Sequence, residues 1–295
     1  MVWYAAIKRS WPALLLIANL AGAADSDYVA EIQKWRDAFD ADVRTGGWLT
    51  LIARFPVNEG VSTIGSDRTR TMQLPSRISR KRLGTLRRQG DSVQFRAAPG
   101  VQAEIDTHPL AGWTRLATKP GTGRVRAGNL RLSVRTVGDD FYLLVADTQN
   151  PAIQEFKGTT WFPADPSYRI PATFTAYAEP EKVRISMTHV ESKTLMTSTG
   201  EVTFQLAGQT VRLKSFLDDS ELFLMFEDSS NGKQTYGGGR FLHAPLPKDG
   251  ATVLDFNKAF NPYCSLNPYV MCPIPTPENR LDIRVAAGET YTARE

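Results

Sequence analysis

Residues 201–226 read Glu-Val-Thr-Phe-Gln-Leu-Ala-Gly-Gln-Thr-Val-Arg-Leu-Lys-Ser-Phe-Leu-Asp-Asp-Ser-Glu-Leu-Phe-Leu-Met-Phe. Apolar and polar side chains alternate over 201–206 and again over 211–214, within a predicted strand at 211–216, which is the period of a strand with one buried face. Turn residues around Gly208 and at 217–220 interrupt the alternation, and a third strand follows. The stretch therefore predicts an antiparallel meander.

The same strand period extends in both directions from this meander. Many short strands separated by Gly and Pro are typical of sandwiches and barrels, and the β-α-β alternation of a doubly wound sheet is missing. We predict a mainly β protein with an N-terminal helix, a small β-sandwich, and a larger antiparallel β barrel or sandwich with a long Pro-rich C-terminal loop. The further predicted strands are 48–53, 83–87, 93–96, 101–105, 130–135, 141–145, 172–177, 182–187 and 281–285.

One helix is predicted ahead of the strands, roughly from Ser26 to Arg44. Its apolar residues fall on one stripe at helical spacing, and two glycines follow its end. They are Tyr28, Ile32, Trp35 and Phe39 for the stripe and Gly46 and Gly47 for the end. The predicted domains are a signal peptide at 1–24, the helix at 25–47, the small sandwich at 48–150 and the antiparallel module with its Pro- and Cys-rich loop at 151–295.

The first 24 residues have the form of a secretory signal peptide. Lys8 and Arg9 precede a short apolar run at 13–23, and small residues follow near Ala23 and Ala24. The run is shorter than the roughly 20 apolar residues that a spanning helix needs, and no other stretch could span a membrane. We expect cleavage near Ala23 or Ala24 and a periplasmic or secreted protein.

The stretch 255–289 contains both cysteines and an unusual density of prolines and aromatic residues. Prolines forbid a long helix or a central strand there, while the aromatics favour an ordered loop that lies across the scaffold. In an oxidising compartment Cys264 and Cys272 are expected to form a disulfide. A zinc site and reactive thiols remain the alternatives, although zinc usually needs closer pairs and further ligands.

Several motifs of this chain occur together, in this order, in a known family. The chain resembles the bacterial and archaeal family called domain of unknown function 1684, which implies no established activity. It departs from the family pattern at Ala53, Phe55 and Val190. The motifs are Gly47-Trp48-Leu49-Thr50-Leu51, Trp161-Phe162-Pro163, Phe226-Glu227-Asp228, Thr235-Tyr236-Gly237-Gly238-Gly239-Arg240-Phe241, Asp255-Phe256-Asn257, Cys272-Pro273, Pro277-Glu278-Asn279-Arg280-Leu281 and Ala287-Gly288-Glu289.

Residues 60–115 carry a second pattern, which is similar to the opening of a forkhead-associated sandwich. It consists of Ile64-Gly65-Ser66-Asp67, Leu74-Pro75, Ser79 and Leu83-Gly84. Ser66 and Arg82 stand where that pattern has its phosphate-binding Arg and its His. The resemblance therefore implies the fold and leaves phosphopeptide binding in doubt.

No local motif marks a catalytic centre. The sequence has no nucleophile elbow, phosphate loop, zincin helix or dinucleotide fingerprint, and its three histidines are far apart. We expect no cofactor and no metal. The net charge of +4 is too small to imply nucleic acid as a partner. A basic cluster between Arg77 and Arg88 is either a solvated face or a contact for an acidic surface.

The candidate site is a polar constellation near the C-terminus, expected to assemble where the Pro-rich loop folds over the glycine run 237–239. Arg240 and Glu278 are expected to pair there, either as an anion clamp or as a structural salt bridge. In the structural interpretation Asp255 and Asn257 cap turns, and the salt bridge pins the loop. A binding or accessory protein of the cell envelope with a small-molecule pocket under the loop is the first hypothesis, and a carboxylate-dependent hydrolase using the same pocket is the second. The ligand-binding candidates are Asp228, Tyr236, Arg240, Asp255, Asn257, Glu278, Asn279 and Arg280.

Overall fold

The computed structural model describes residues 13–77, 80–116, 123–218 and 220–292, with side chains from Asp25 onward. The first half of the predicted signal peptide, residues 1–12, lies outside the described residues. Helix α1 spans Ala13–Thr45, so it begins well before the predicted Ser26 and continues through the second half of that segment. Gly47, at φ 89°, ends this region before a 3-10 turn at Trp48–Thr50.

Two sheets built from residues 51–147 face each other and form the predicted small sandwich. One sheet has the strand order β1-β11-β10-β9-β6-β7 and the other β3-β2-β4-β5-β8. The strands are β1 Leu51–Pro56, β2 Gly60–Gly65, β3 Met72–Gln73, β4 Gly84–Gln89, β5 Ser92–Ala97, β6 Glu104–Ile105, β7 His108–Pro109, β8 Thr114–Arg115, β9 Val125–Ala127, β10 Leu130–Val137 and β11 Asp140–Asp147. Apolar residues of both sheets, among them Leu86, Phe95, Leu132 and Leu143, share one core.

A third sheet follows a short helix, α2, at Ala152–Glu155. Its strand order is β16-β15-β14-β13-β12-β17, and a hydrogen bond of 2.8 Å from Thr252 Oγ1 to the Pro245 carbonyl joins the two end strands. The sheet is thus a nearly closed antiparallel barrel, as predicted. Its strands are β12 Arg169–Ser186, β13 Lys193–Leu206, β14 Gln209–Asp218, β15 Glu221–Phe226, β16 Arg240–Pro245 and β17 Ala251–Asp255.

Both faces of the barrel sheet are covered by apolar residues. The inner core includes Phe204, Phe226, Leu254 and Phe256. Outside, Phe39 and Val43 of α1 pack with Phe260, Cys264 and Val270 of the C-terminal segment and with barrel residues of the outer face. We call residues 255–289 the C-terminal segment. It is the predicted ordered loop, and it also sends Leu281, Val285 and Ala287 into the inner core.

Three predicted local features are wrong. Ser198-Thr199-Gly200 has a composition that predicts a turn, yet it lies inside β13, where the pairing register shifts between Ser198 and Gly200. A Cβ on Gly200 would come within 2.3 Å of the Thr175 carbonyl oxygen, so the glycine serves close strand packing. Strands 172–177 and 182–187 are one strand, β12, with an irregular register between Ala176 and Glu181. Residues 281–285 form no strand.

Candidate functional site

The eight candidate residues separate into distinct contact networks. Arg240, fully buried, donates from Nη2 to Asp228 Oδ2 and to the Val285 carbonyl at 2.9 Å, and from Nη1 to the Ala287 carbonyl. Its guanidinium carbon lies 5.1 Å from the centroid of the Phe226 ring. Burial lowers the pKa of Arg240, and Asp228 opposes that change.

The predicted pair of Arg240 and Glu278 is wrong. Glu278 is exposed in a 3-10 turn at Pro277–Asn279, and its own backbone amide and Thr276 hold its pKa below the usual range. Asp228 is the partner of Arg240 because it follows β15, the hydrogen-bonded neighbour of the strand that Arg240 begins. Arg240 therefore holds the end of the C-terminal segment and is not open to a ligand.

Asp255 and Asn257 form a second network beneath α1. Asp255 Oδ1 accepts from the Tyr28 hydroxyl at 2.8 Å and from the Asn257 backbone amide at 3.2 Å. Asn257, fully buried, donates to the Tyr28 hydroxyl and to the Asp165 carbonyl, each at 2.8 Å, and accepts from the Asp165 amide at 2.9 Å. Burial, with the bond to Asp255, raises the pKa of Tyr28. Asn257 is a structural link between helix and barrel.

Asn279 and Arg280 form a third network on the barrel. The Asn279 side chain accepts from the Lys214 amide at 2.7 Å and donates to the Lys214 and Met225 carbonyls, each at 2.8 Å. It therefore bridges β14 and β15 beyond the end of their pairing, which runs from Phe216 to Asp218. Arg280, exposed, pairs with Glu227 at 2.6 Å.

Tyr236 and the two cysteines lie together under the C-terminal segment. Cys264 and Cys272 are buried, free thiols in the structure, so the predicted disulfide is not present in it and stays a prediction. The Cys264 amide donates to Cys272 Sγ at 3.3 Å, and Cys264 Sγ lies 3.9 Å from the Tyr236 hydroxyl. The hydrogen bond between the thiols lowers the pKa of Cys264 to about 7 and raises the pKa of Cys272.

Glu289 is a buried ionisable residue that the sequence reasoning did not single out as a candidate. Its side chain accepts from the Asn261 amide at 2.7 Å, and burial raises its pKa to about 8. The carboxyl sits near Arg240 and Asp40, which act on its pKa in opposite directions. Its place at the end of the motif Ala287-Gly288-Glu289 was the available signal. A carboxylate among apolar residues must be hydrogen-bonded, paired with a cation or protonated.

A cleft of about 420 Å³ opens where the two end strands of the barrel meet. The cleft contacts only the first residues of the C-terminal segment. Of the eight candidate residues, its lining includes Asp255 alone. The lining residues are Trp35 of α1, Arg169 of β12, Glu221 of β15, His243 and Pro245 of β16, Val253 and Asp255 of β17, and Lys258 and Phe260 of the C-terminal segment.

The cleft combines aromatic walls with a free cation. Within the described residues, Arg169 forms no hydrogen bond or salt bridge through its exposed side chain. Lys258, by contrast, is 3.1 Å from Glu31 and 3.8 Å from Asp255. The His243 ring stacks on Phe260 with centroids 5.9 Å apart, and its buried Nδ1 has no hydrogen-bond partner. Such a site can hold an anionic group beside an aromatic or apolar body.

A second cavity, of about 590 Å³, lies in the small sandwich, but its charges are already engaged. Arg126 pairs with Glu104 at 2.7 Å, and Arg131 donates to the carbonyls of Gly128 and Leu130 at 2.7 and 2.9 Å. The cleft with Arg169 is therefore the better candidate for a ligand site. Over the described part of the chain, no cluster of three or more metal-ligating side chains occurs.

Among the described residues, no helix combines the length and apolar character that a membrane span requires.

The fold is a mainly β architecture, with a helix and an irregular segment packed on a nearly closed barrel. Residues 154–290 match the family described as "Protein of unknown function (DUF1684)", and the chain belongs to that family, as the sequence predicts.

Solved structures similar to this chain include an archaeal protein and two forkhead-associated domains. The solution NMR structure of an uncharacterized protein from Haloarcula marismortui is 33% identical, covers 47% of this chain and 78% of its own, and has a TM-score of 0.40. The FhaA FHA domain complexed with the intracellular domain of Rv3910 is 16% identical, covers 32% of this chain and 94% of its own, and has a TM-score of 0.24.

A structure from an analysis of phosphothreonine-dependent FHA domain interactions is also 16% identical, covers 30% of this chain and 79% of its own, and has a TM-score of 0.22. No curated protein matches the chain. At these TM-scores the likeness carries nothing about the activity of this protein.

Proposed function

We propose that this protein is an exported binding protein of the cell envelope and that its cleft holds a small organic anion. The observation that carries the proposal is Arg169, whose side chain has no hydrogen-bond or salt-bridge partner among the described residues and lies at the edge of a cavity of about 420 Å³. Cavities of roughly 300–1,000 Å³ with apolar walls and few convergent polar groups are typical ligand sites.

The walls of the cleft indicate what kind of body the anionic group of the ligand is attached to. Trp35 of α1 and Phe260 of the C-terminal segment offer aromatic surface, while Val253 and Pro245 add aliphatic surface. His243 Nδ1, which has no hydrogen-bond partner among the described residues and lies 3.6 Å from Glu221 Oε2, is a further polar atom within the same lining. A flat or ring-bearing carboxylate, sulfonate or phosphate ester satisfies Arg169 and covers the apolar walls together.

A carboxylate-dependent hydrolase is the second candidate, because Glu221 and Asp255 both border the cleft and Glu221 Oε2 is 3.6 Å from His243 Nδ1. Asp255 is already engaged by Tyr28 and Asn257, which favours binding over acid–base work. A hydrolase converts its bound ligand, whereas the binding proposal expects mass spectrometry to recover the ligand unchanged after prolonged incubation.

Export is part of the proposal and is supported by the form of residues 1–24 together with the attachment of the helix that follows. Helix α1 is fastened to the body through residues from Tyr28 onward, including Asp40, whose carboxylate accepts from the Thr159 amide and hydroxyl at 3.1 and 2.6 Å. Removal of a leader before Asp25 leaves these contacts in place.

The anion site is tested with 8-anilinonaphthalene-1-sulfonate, an aromatic sulfonate whose fluorescence rises on binding. Arg169→Ala is expected to weaken its binding roughly tenfold or more, since a hydrogen bond to a charged group contributes about 1.5–3 kcal/mol. Fluorescence titration of the folded protein gives the dissociation constants.

Arg184→Ala is the matched control. Arg184 is an exposed arginine of the same strand, β12, that does not line the cleft. It is expected to leave the dissociation constant unchanged. Equal effects of the two substitutions, or no effect of either, would exclude Arg169 as the anion-binding group.

A further inference from the structure

One face of the small sandwich carries an arginine and tryptophan surface that is separate from the cleft. In the sheet β3-β2-β4-β5-β8, Arg87 pairs in register with Gln94, and Gln94 pairs with Arg115. Opposed residues of neighbouring strands point to the same side of a sheet. Arg96 belongs to this outer side as well, because buried Phe95 and Val93 occupy the alternate positions on β5. We call Arg87, Arg96, Trp113 and Arg115 the basic face.

No salt bridge among the described residues compensates the charge of the basic face. Strands β2, β3, β4, β5 and β8 contain no Asp or Glu. None of Arg87, Arg96 and Arg115 forms a salt bridge with a described residue, and Arg87 instead bonds the Gln94 side chain at 3.1 Å. Residues 51–116 contain eleven Lys and Arg against five Asp and Glu, whereas the whole chain has 35 against 31. The positive charge of the chain is therefore concentrated in this part.

Apolar side chains lie among these arginines. The guanidinium carbons of Arg87 and Arg96 are 4.5 and 4.7 Å from the centroid of the Trp113 ring. Val61, opposite Arg87 on β2, is 64% exposed. Tryptophan beside arginine is the combination that sits at the boundary between lipid headgroups and acyl chains.

We propose that the basic face docks the protein on an anionic membrane surface. Arg87, Arg96 and Arg115 contact lipid phosphates there, while Trp113 and Val61 reach the headgroup boundary. We choose an anionic membrane as the partner because the positive arginines of the basic face complement negatively charged lipid headgroups. Lipid is favoured over nucleic acid because two guanidinium groups already contact the Trp113 ring, which leaves it poorly placed to stack on a base.

The test is co-sedimentation of the full chain with vesicles of phosphatidylglycerol and, separately, of phosphatidylcholine. Each arginine near an anionic surface contributes about fivefold in partitioning, so Arg96→Gln/Arg115→Gln is expected to lower binding to phosphatidylglycerol about 25-fold. Binding of the unaltered chain to phosphatidylglycerol is expected to weaken as salt rises. Thermal unfolding checks that the variant is folded.

Arg184→Gln/Arg212→Gln is the charge-matched control, with two exposed arginines of the barrel strands β12 and β14. It removes the same charge and keeps the same N-terminal residues, and it is expected to change binding less than twofold. The proposal is overturned if both double variants bind alike, if phosphatidylcholine vesicles bind as strongly, or if the basic-face variant loses affinity for a single-stranded oligonucleotide and not for vesicles.

Discussion

Arg240 illustrates how single buried polar residues fasten this chain. Its guanidinium binds one carboxylate, Asp228, and two carbonyls of the C-terminal segment. A buried charge is tolerated only with such partners, and truncating one partner leaves the other uncompensated, at a cost of about 3–5 kcal/mol. Asn279 acts likewise without a charge. Its side-chain amide hydrogen-bonds the backbones of β14 and β15 at Lys214 and Met225, where the two strands no longer pair directly. These residues stabilise the scaffold.

Glu289 leads to a prediction on stability and pH. Its pKa is raised from 4.5 to about 8 in the folded protein by burial. Between these values the unfolded chain has lost the proton that the folded protein keeps, so the folded state binds more protons and stability falls as pH rises. Urea unfolding from pH 5 to pH 8 is expected to show a smaller loss of stability for Glu289→Gln than for the unaltered protein.

Glu278→Gln is the control for this experiment. Glu278 is exposed and its pKa is lowered by its own backbone amide and Thr276, so its contribution is lost only as pH falls below its usual titration range. Its substitution should leave the pH 5 to pH 8 profile unchanged. Identical profiles for Glu289→Gln and the unaltered protein would show that Glu289 is ionised throughout.

At the residue scale, sequence identified several unusual polar groups but not their partners. Asp228, Arg240, Asn257 and Asn279 are all engaged, yet in separate networks. Partners are set by strand neighbours such as β15 and β16, which a single sequence does not specify. Arg169 was missed because nothing local distinguishes an arginine in a strand. Only the assembled cleft shows that its side chain binds no other described residue.

At the scale of elements, the strand period located most of the sheets, while the length of strands was harder to predict. Gly200 suggested a turn, but the same lack of a side chain also serves close packing inside β13. Residues 281–285 alternate as a strand does, yet the carbonyl of Val285 accepts a hydrogen bond from the Arg240 side chain rather than from a neighbouring strand. Long-range contacts thus override local pattern here.

The Cys264–Cys272 pair is the element-scale prediction. The thiols are buried side by side in the segment that covers the outer face of the barrel. We expect oxidation to join them and to stabilise the protein by about 2 kcal/mol, the lower end for disulfides because the closed loop is short. Thiol titration of exported protein in denaturant should find no free thiol. Two titratable thiols, or equal unfolding midpoints with and without reductant, would contradict the prediction.

At the scale of the whole molecule, α1 acts as part of the body. Ile32 and Val43 are fully buried, and Phe39 packs against Trp161 and Phe260 with centroids 5.5 and 5.2 Å apart. The same helix contributes Trp35 to the cleft. Burying an aliphatic or aromatic side chain of this size stabilises by about 1.5–3 kcal/mol. Fold and candidate site therefore both depend on the helix.

We expect residues 1–24 to be dispensable for the stability of the fold and residues 25–45 to be essential for it. A chain beginning at Asp25 keeps Tyr28, Ile32, Phe39 and the hydrogen bonds to the barrel that the described side chains of α1 make, with Asp25 itself available as the helix cap. Its free energy of unfolding in urea should equal that of the full chain within about 0.5 kcal/mol. A chain beginning after Thr45 loses these buried side chains and should not fold.

Intact-mass measurement of exported protein should find a start near Ala24 or Asp25, and a retained Met1 would show that the leader is not cleaved.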